Sequence, residues 1–374
     1  MKSSCGFEVY VHIPFCVRKC DYCDFVSFAS NNKTKEGYFN ALLKQIELRA
    51  EAMGKVPVTS VFFGGGTPSL VDPWEIGRVL TKLRECFDVQ SDAEITIEMN
   101  PNSGDYKKLC KYIDFGINRL SIGLQSANNQ ELTTLSRVHT YEEFLETYES
   151  ARKAGFKNIN VDLMSGLPGQ SIESYKDTLL KVIELGPEHI SAYSLIIEEG
   201  TPFYDRYKNG NGLPSEDVDR EMYSLTKEVL EASGYERYEI SNYSKPGFEC
   251  RHNLGYWTRV PYMGFGIAAA SLIGNKRLLM HSDLNRYIKN DYTESIEELT
   301  NEDIMEEFMF LGLRLCKGVS KESFFEAFGV RIESVYGDTI EKLTGEGLLV
   351  ADKRIYLTDK GLDLANYCMA EFIR

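Results

Sequence analysis

Three cysteines near the N-terminus, Cys16, Cys20 and Cys23, stand at a C-x3-C-x2-C spacing after an apolar run, Val11-His12-Ile13-Pro14-Phe15. Soft thiolates clustered this tightly suit a thiophilic metal, and above all an iron–sulfur cluster. A [4Fe–4S] cube has four irons, and this loop supplies three thiolates. Asp24 and Phe25 follow Cys23, so no fourth cysteine lies nearby. One iron is then left open for a small molecule. Two other readings compete. Cysteines at i, i+4 and i+7 also share a helix face, where free thiols pack as small hydrophobes. Pro14, Asp21, Asp24 and the aromatic Phe15, Tyr22, Phe25 and Phe28 do not form a helical stripe, however. Zinc would take a fourth ligand from His12 or elsewhere.

A second constellation is glycine-rich: Gly64-Gly65-Gly66-Thr67-Pro68. Glycine permits close backbone approach and positive φ, and exposed amide N–H groups hold a carboxylate. Glu98, Gln125, Arg137 and Asp162 are candidate polar contacts. Arginine clamps a carboxylate with two hydrogen bonds, and a carboxylate accepts from an amine or from ribose hydroxyls. Asp162 interrupts an apolar strand, Ile159-Asn160-Val161-Asp162-Leu163-Met164. A charge there costs free energy unless partnered, which points it into a cavity. His252 sits near Cys250, Tyr256 and Trp257. Imidazole and thiolate both ligate heme iron, and aromatic rings pack on a porphyrin face. Read alone, this stretch is a histidine capping a turn, with the tyrosine and tryptophan in the core. His12, His139, His189 and His281 read as structural.

The elements that must position these groups alternate in the first two-thirds of the chain. Strand signals at 8–13, 60–63, 94–99, 119–123, 158–164 and 189–195 are separated by amphipathic stretches at 34–53, 73–87, 141–154 and 171–185. Such alternation builds a parallel sheet with right-handed crossovers. Six units suit an open (β/α)6 partial barrel, with a doubly wound sheet as the alternative. The first five strand signals lead in turn to the cysteines, the glycine turn, Glu98, Gln125 and Asp162, and C-terminal strand ends form the active face of parallel barrels. After residue 215 come a helix at 216–233, an aromatic-rich stretch and a glycine-rich run at 264–270. A helix-rich region from about 300 closes with a hairpin at 348–357 and a helix at 359–373. That last pattern is winged-helix-like.

The chain has 374 residues and a formal net charge of −14, without a basic stripe. This disfavours nucleic acid and leaves at most peripheral contact with an anionic membrane. No signal peptide or membrane-spanning run is visible, and the nine cysteines form no paired framework. A reducing, cytoplasmic environment is expected. Cys5, Cys86, Cys110, Cys316 and Cys368 are assigned no function.

Together, Tyr10 through Cys16, the cysteine spacing, the 64–68 turn, Ser121-Ile122-Gly123-Leu124-Gln125 and Asp162 through Gly169 resemble the HemN/HemW branch of the radical S-adenosylmethionine (SAM) superfamily. The resemblance covers essentially the whole chain. It implies a radical SAM core at 1–235, a connecting segment at 236–295 and a HemN-type C-terminal domain at 296–374. It implies a [4Fe–4S] cluster on Cys16, Cys20 and Cys23, with SAM on the open iron. Tyr10, Gly65, Gly66 and Thr67 would contact SAM, with Glu98 on its amino group or ribose. Gln125, Arg137 and Asp162 match positions that line a second SAM site in oxygen-independent coproporphyrinogen III oxidases. Those oxidases carry an extra cysteine where this chain has Phe25, and an N-terminal extension before the first strand. His252-Asn253-Leu254-Gly255-Tyr256-Trp257 matches the H-N-x-x-Y-W heme-binding signature of the HemW-type heme chaperones. The resemblance therefore implies heme at His252, an acceptor protein, an electron donor and no oxidase activity, with the oxidase as the alternative. Cys20→Ser is expected to abolish the cluster. Iron and labile sulfide content after anaerobic reconstitution checks it, and a variant that keeps both in full contradicts the assignment.

Overall fold

The structure is a computed structural model that describes residues 6–101 and 103–374. Cys5 lies outside the described residues. The first two-thirds of the chain runs β1(Phe7–Ile13), α1(Asn32–Met53), β2(Pro57–Gly65), α2(Pro73–Cys86), β3(Asp88–Met99), α3(Tyr106–Phe115), β4(Arg119–Gln125), α4(Asn129–Thr134), α5(Tyr141–Ala154), β5(Ile159–Ser165), α6(Ile172–Leu185), β6(His189–Ser194), α7(Pro202–Tyr207) and α8(Glu216–Ala232). Helices begin where a side chain takes up a free N–H. Thr140 and Glu143 form a capping box on α5, and Ser171 caps α6. They end where glycine adopts positive φ, as at Gly155 and Gly186.

Strands β1 to β6 pair in parallel and in chain order. The helices pack side by side in the same sequence, α1 on α2, α2 on α3, α3 on α5 and α6 on α8. One sequential sheet with one outer helical layer is the open (β/α)6 partial barrel. A doubly wound sheet would reverse its strand order. The strand period of two divides the faces. In β1, Val9, Val11 and Ile13 are fully buried in the main apolar core, each contributing about 1.5–3 kcal/mol by burial. Glu8, Tyr10 and His12 alternate with them and face the barrel interior.

The region after α8 extends this sheet at both edges. β7(Glu236–Arg237) and β8(Asn242–Ser244) join antiparallel beyond β6. Helix α9(Arg251–Trp257) crosses the barrel, and β9(Tyr262–Phe265) pairs parallel with β1. β10(Ala270–Ile273) and β11(Lys276–Met280) follow, then α10(Leu284–Ile288) and β12(Glu294–Glu298), completing twelve strands. These edge strands are short, and glycine blurs their alternation. Gly264 in β9 is needed because a Cβ there would fall on the Ala270 carbonyl.

The C-terminal unit comprises α11(Asn301–Gly312), β13(Val319–Ser320), α12(Lys321–Phe328), α13(Ile332–Gly345), β14(Leu349–Ala351), β15(Arg354–Leu357), α14(Asp359–Asp363) and α15(Ala365–Ala370). Its small sheet has the order β13-β15-β14, a winged-helix-like arrangement with its own core around Leu313, Phe324, Leu343, Ile355 and Phe372. The single final helix expected from the sequence is two, broken at Leu364, whose φ of −109° and ψ of 32° leave the helical region. Ile13→Ala, which empties a fully buried position just before the cysteine loop, is expected to cost about 2–5 kcal/mol. A fall in the urea midpoint at unchanged slope checks it.

Candidate functional site

The C-terminal ends of β1 to β5 converge on a cavity of about 150 Å³. Cys16, Cys20 and Cys23 all line it as free thiols. Gly65, Gly66 and Thr67 line it from the turn after β2, as do Glu98 of β3, Gln125 of β4, Asp162 of β5 and Arg137 after α4. The cysteine loop is held by backbone pairing. Phe28 donates its N–H to Pro14 at 2.7 Å, and Cys16 donates to Phe28 at 3.0 Å. The glycine turn clamps the same segment, with Gly66 N–H on the Ile13 carbonyl at 2.9 Å and Thr67 N–H on Phe15 at 2.8 Å. Gly65 has φ +113°, and a Cβ on Gly66 would lie 2.8 Å from the Phe15 oxygen and 3.1 Å from Cys16 Sγ. Both glycines are therefore required by this contact.

Polar groups complete the wall. Glu98 accepts from Gly65 N–H at 3.1 Å. Burial, reinforced by the Asp162 carboxylate, pushes Glu98 up to about 8. A cationic ligand group beside it would favour its ionised form. Burial also raises Asp162, although it accepts from Asn160 at 2.7 Å and Ser121 at 3.2 Å. Arg137 donates to the Gly123 carbonyl and to Asn100 Oδ1, both at 2.7 Å, and reaches Cys20 Sγ at 3.7 Å. Gln125 sits at φ 73° and accepts from the Tyr193 hydroxyl at 3.1 Å. Asn100, in the loop that closes β3, lines the cavity too, while Tyr193 and Phe25 as wall residues escaped the sequence reading. Their only signal was their place at or just beyond strand ends.

Two proposed contacts lie elsewhere. Tyr10 donates to His12 Nδ1 at 3.0 Å, and His12 Nε2 donates to the Val26 carbonyl at 2.9 Å. Both residues face a second cavity of about 610 Å³. His12, which the sequence left structural, thus steadies the cysteine loop. His252 lines neither cavity. It is buried, with Nδ1 2.8 Å from Ser60 Oγ, Nε2 3.0 Å from the Tyr256 hydroxyl and its ring stacked on Phe62. The sequence put His252 forward as an axial heme ligand, but in this conformation both ring nitrogens are engaged. Cys250 is also fully buried, its thiol 3.5 Å from Glu94. Helix α9 is a plug in the barrel floor. Glu94 accepts from the N–H groups of Arg251 and His252, each at 3.1 Å. Gly255 has no side chain because a Cβ there would fall on the Glu8 carboxyl.

Comparisons with known proteins agree with this geometry. The Radical SAM superfamily model matches residues 10–182, and the HemN C-terminal domain model matches residues 299–364. The chain is 36% identical over 371 residues to the heme chaperone HemW of Lactococcus lactis, covering 98% of this chain and 97% of that protein. It is 35% identical over 374 residues to HemW of Bacillus subtilis, covering 98% and 99%. HemW of Escherichia coli is 34% identical over 349 residues, covering 91% of each. Among solved structures, the radical SAM enzyme coproporphyrinogen III oxidase (HemN) from Escherichia coli superposes with a TM-score of 0.87 at 26% identity, over 99% of this chain and 90% of that one.

The barrel floor has a pH signature. Burial, with the nearby Glu94 carboxylate, raises Glu8 from 4.5 to about 9, so Glu8 folds protonated and its contribution to stability is lost between pH 4.5 and 9. Burial, with Arg119, lowers His252 from 6.5 to about 3, so its contribution is lost as pH falls below 6.5. The two slopes oppose one another below pH 6.5; above it Glu8 and the buried Glu98, raised to about 8, both lose their contribution as pH rises. Glu8→Gln is expected to lessen the fall in melting temperature between pH 6.5 and 9, most clearly above pH 8. Parallel thermal melts of both proteins across that range check it.

Proposed function

The chain belongs to the HemW family of radical SAM proteins, and on that premise we propose that it is a heme chaperone that binds heme and passes it to an acceptor protein. The observation that carries the radical SAM part is the convergence of three free thiols, a glycine turn and Glu98 on one cavity. The thiol set fits a [4Fe–4S] cluster held by Cys16, Cys20 and Cys23, with one iron open. Gly66 keeps the space beside Cys16 clear, and Arg137 sets a fixed positive charge beside Cys20. Among the described residues no group of three or more His, Cys, Asp or Glu is placed to hold a single metal ion. A cube instead asks for one thiolate on each of three different irons.

Cluster and SAM together supply one-electron chemistry, with the electron coming from an external donor. The residues bind and orient. Gly65, Gly66 and Thr67 offer backbone approach, Glu98 receives a cationic or hydroxyl group, and Gln125, Arg137 and Asp162 complete the far wall. Tyr10 acts on this site through His12 and the cysteine loop. Residues 1–235 form the radical SAM core in this reading, 236–295 the connecting segment and 296–374 the C-terminal domain. Among the described residues no helix is long and apolar enough to cross a membrane.

Coproporphyrinogen III oxidation is the competing reading. Phe25 supports the chaperone reading, since an exposed aromatic stands where the oxidases have a cysteine. Anaerobically reconstituted protein, given SAM, a reductant and coproporphyrinogen III, is expected to form no protoporphyrinogen, while a parallel titration yields a stable heme complex. Formation of protoporphyrinogen would make the chain an oxidase.

A further inference from the structure

We propose that heme occupies the second cavity, with the Tyr256 hydroxyl as the iron ligand, His252 as the residue that positions it, and Arg259 and Arg277 as anchors of the two propionates. This rests on the heme-chaperone reading above.

The cavity, about 610 Å³, lies between the inner face of β1, β9, β10 and β11, the end of α9 and one face of α11. Its walls are mainly aromatic and aliphatic, among them Tyr10, Phe25, Trp257, Tyr262, Leu272 and Phe310. An apolar pocket of this size with a few convergent polar groups suits a large, flat ligand. Its cationic groups are paired. Arg259 Nε donates to Glu307 at 2.8 Å, and Arg277 donates to the other oxygen of the same carboxylate. Glu307 is buried, and two guanidiniums share it. Each guanidinium keeps further N–H donors beyond the one it gives this shared carboxylate, so both can still donate to a ligand carboxylate from the chamber wall. Arg277 also reaches Glu297 at 3.3 Å, outside the cavity lining. Asp24 is the other charged wall residue, on the cysteine loop. Trp257 adds a donor, because its indole N–H is buried without a hydrogen-bond partner. Heme, a wide apolar disc with two carboxylates on one edge, matches the apolar walls and the two guanidiniums at one side of them.

The iron ligand follows from what reaches the cavity. Tyr256 lines it, and His252 and Cys250 do not. His252 and Tyr256 stand four residues apart on one face of α9. Their rings meet edge-on at 4.8 Å, and Nε2 lies 3.0 Å from the phenol oxygen. In the tautomer that carries its proton on Nδ1, 2.8 Å from Ser60 Oγ, Nε2 is the acceptor for the Tyr256 O–H. Tyrosinate is an established type of heme ligand, and a histidine behind a ligand fixes its orientation. When ferric heme enters as its hydroxide, the Fe–O(phenolate) bond forms while the iron-bound hydroxide takes the phenol proton and leaves as water, so His252 stays neutral and only orients the phenol. The Glu8 carboxyl, 3.9 Å from Nδ1, and the Arg119 guanidinium face that ring from neighbouring strands, and Glu94 sits at its backbone. Phe25 belongs to the lining of both cavities, so heme here is separated from the cluster cavity by one side chain.

The test is a titration of the full chain with ferric heme, read by absorbance and resonance Raman. Wild type, Tyr256→Phe, His252→Gln and the double variant Arg259→Gln/Arg277→Gln are compared. Wild type is also titrated with heme dimethyl ester, which needs no variant to fold. Wild type is expected to give a ferric phenolate signature. Tyr256→Phe loses it and binds about tenfold or more weakly, while His252→Gln keeps the signature with a shifted Fe–O frequency. The ester binds wild type about tenfold or more weakly than heme, and the double variant no longer distinguishes the two. The proposal is overturned if Tyr256→Phe keeps the wild-type spectrum, if His252→Gln alone abolishes the axial signature, or if ester and free acid bind wild type equally. A wild-type chain that takes up no heme at all instead sinks the chaperone reading on which the proposal stands.

Discussion

The structure depends on how the inner face of the half-barrel is neutralised. Glu8, Glu94, Glu98, Arg119, Asp162, His189 and His252 all project inside one parallel sheet, and most are nearly sealed from water. Such groups are costly unless paired or held neutral. Arg119, 2% exposed, is the central cation, with Cys250, Glu94, Tyr238 and Asp162 around it. His189 bridges Asn160 at 2.6 Å and Tyr238 at 2.7 Å, tying β5 and β6 to the edge hairpin. At the floor the polar groups are closed off by α9, through Glu94, Ser60 and Glu8. At the mouth the corresponding groups, Glu98 and Asp162, are left for a ligand. The same chemistry is structural at one end of the barrel and receptive at the other.

This division explains why the cysteine loop is so tightly tied to its surroundings. The loop has little regular structure of its own. It is positioned by the glycine turn on one side, by the Phe15–Phe28 bridge within itself and by His12 through Val26 on the other. Two of these ties run from β1 and from the turn that closes β2, and β1 is itself fixed by the fully buried Val9, Val11 and Ile13. A ligand set is only as rigid as its supports, and here the supports are strands rather than loops.

Much of this was legible in the chain because it is local. The cysteine spacing, the glycine triplet and the polar residue closing each strand are read within a few positions, and strand order then brings Glu98, Gln125, Arg137 and Asp162 to the cysteines. The sheet edges were not legible. β7 to β12 are short, glycine-interrupted and recognisable only by the strand each one meets. The second cavity was hidden for the same reason, since its walls come from residues 10–26, 256–277 and 307–311. The H-N-x-x-Y-W motif was visible, but not which member faces the chamber. His252 and Tyr256 share a face of α9, but only Tyr256, one turn further along, lines the chamber, and a linear motif does not show where the wall lies.

A cluster site and a heme site on either side of Phe25 bring two paramagnetic centres close together in one chain. The most direct measurement is the electron paramagnetic resonance of the reduced, reconstituted protein with and without copper(II) protoporphyrin, a paramagnetic analogue of heme. The account predicts dipolar broadening and faster relaxation of the cluster signal when the porphyrin binds. A bound porphyrin that leaves the cluster signal unchanged would place the two sites far apart and contradict it.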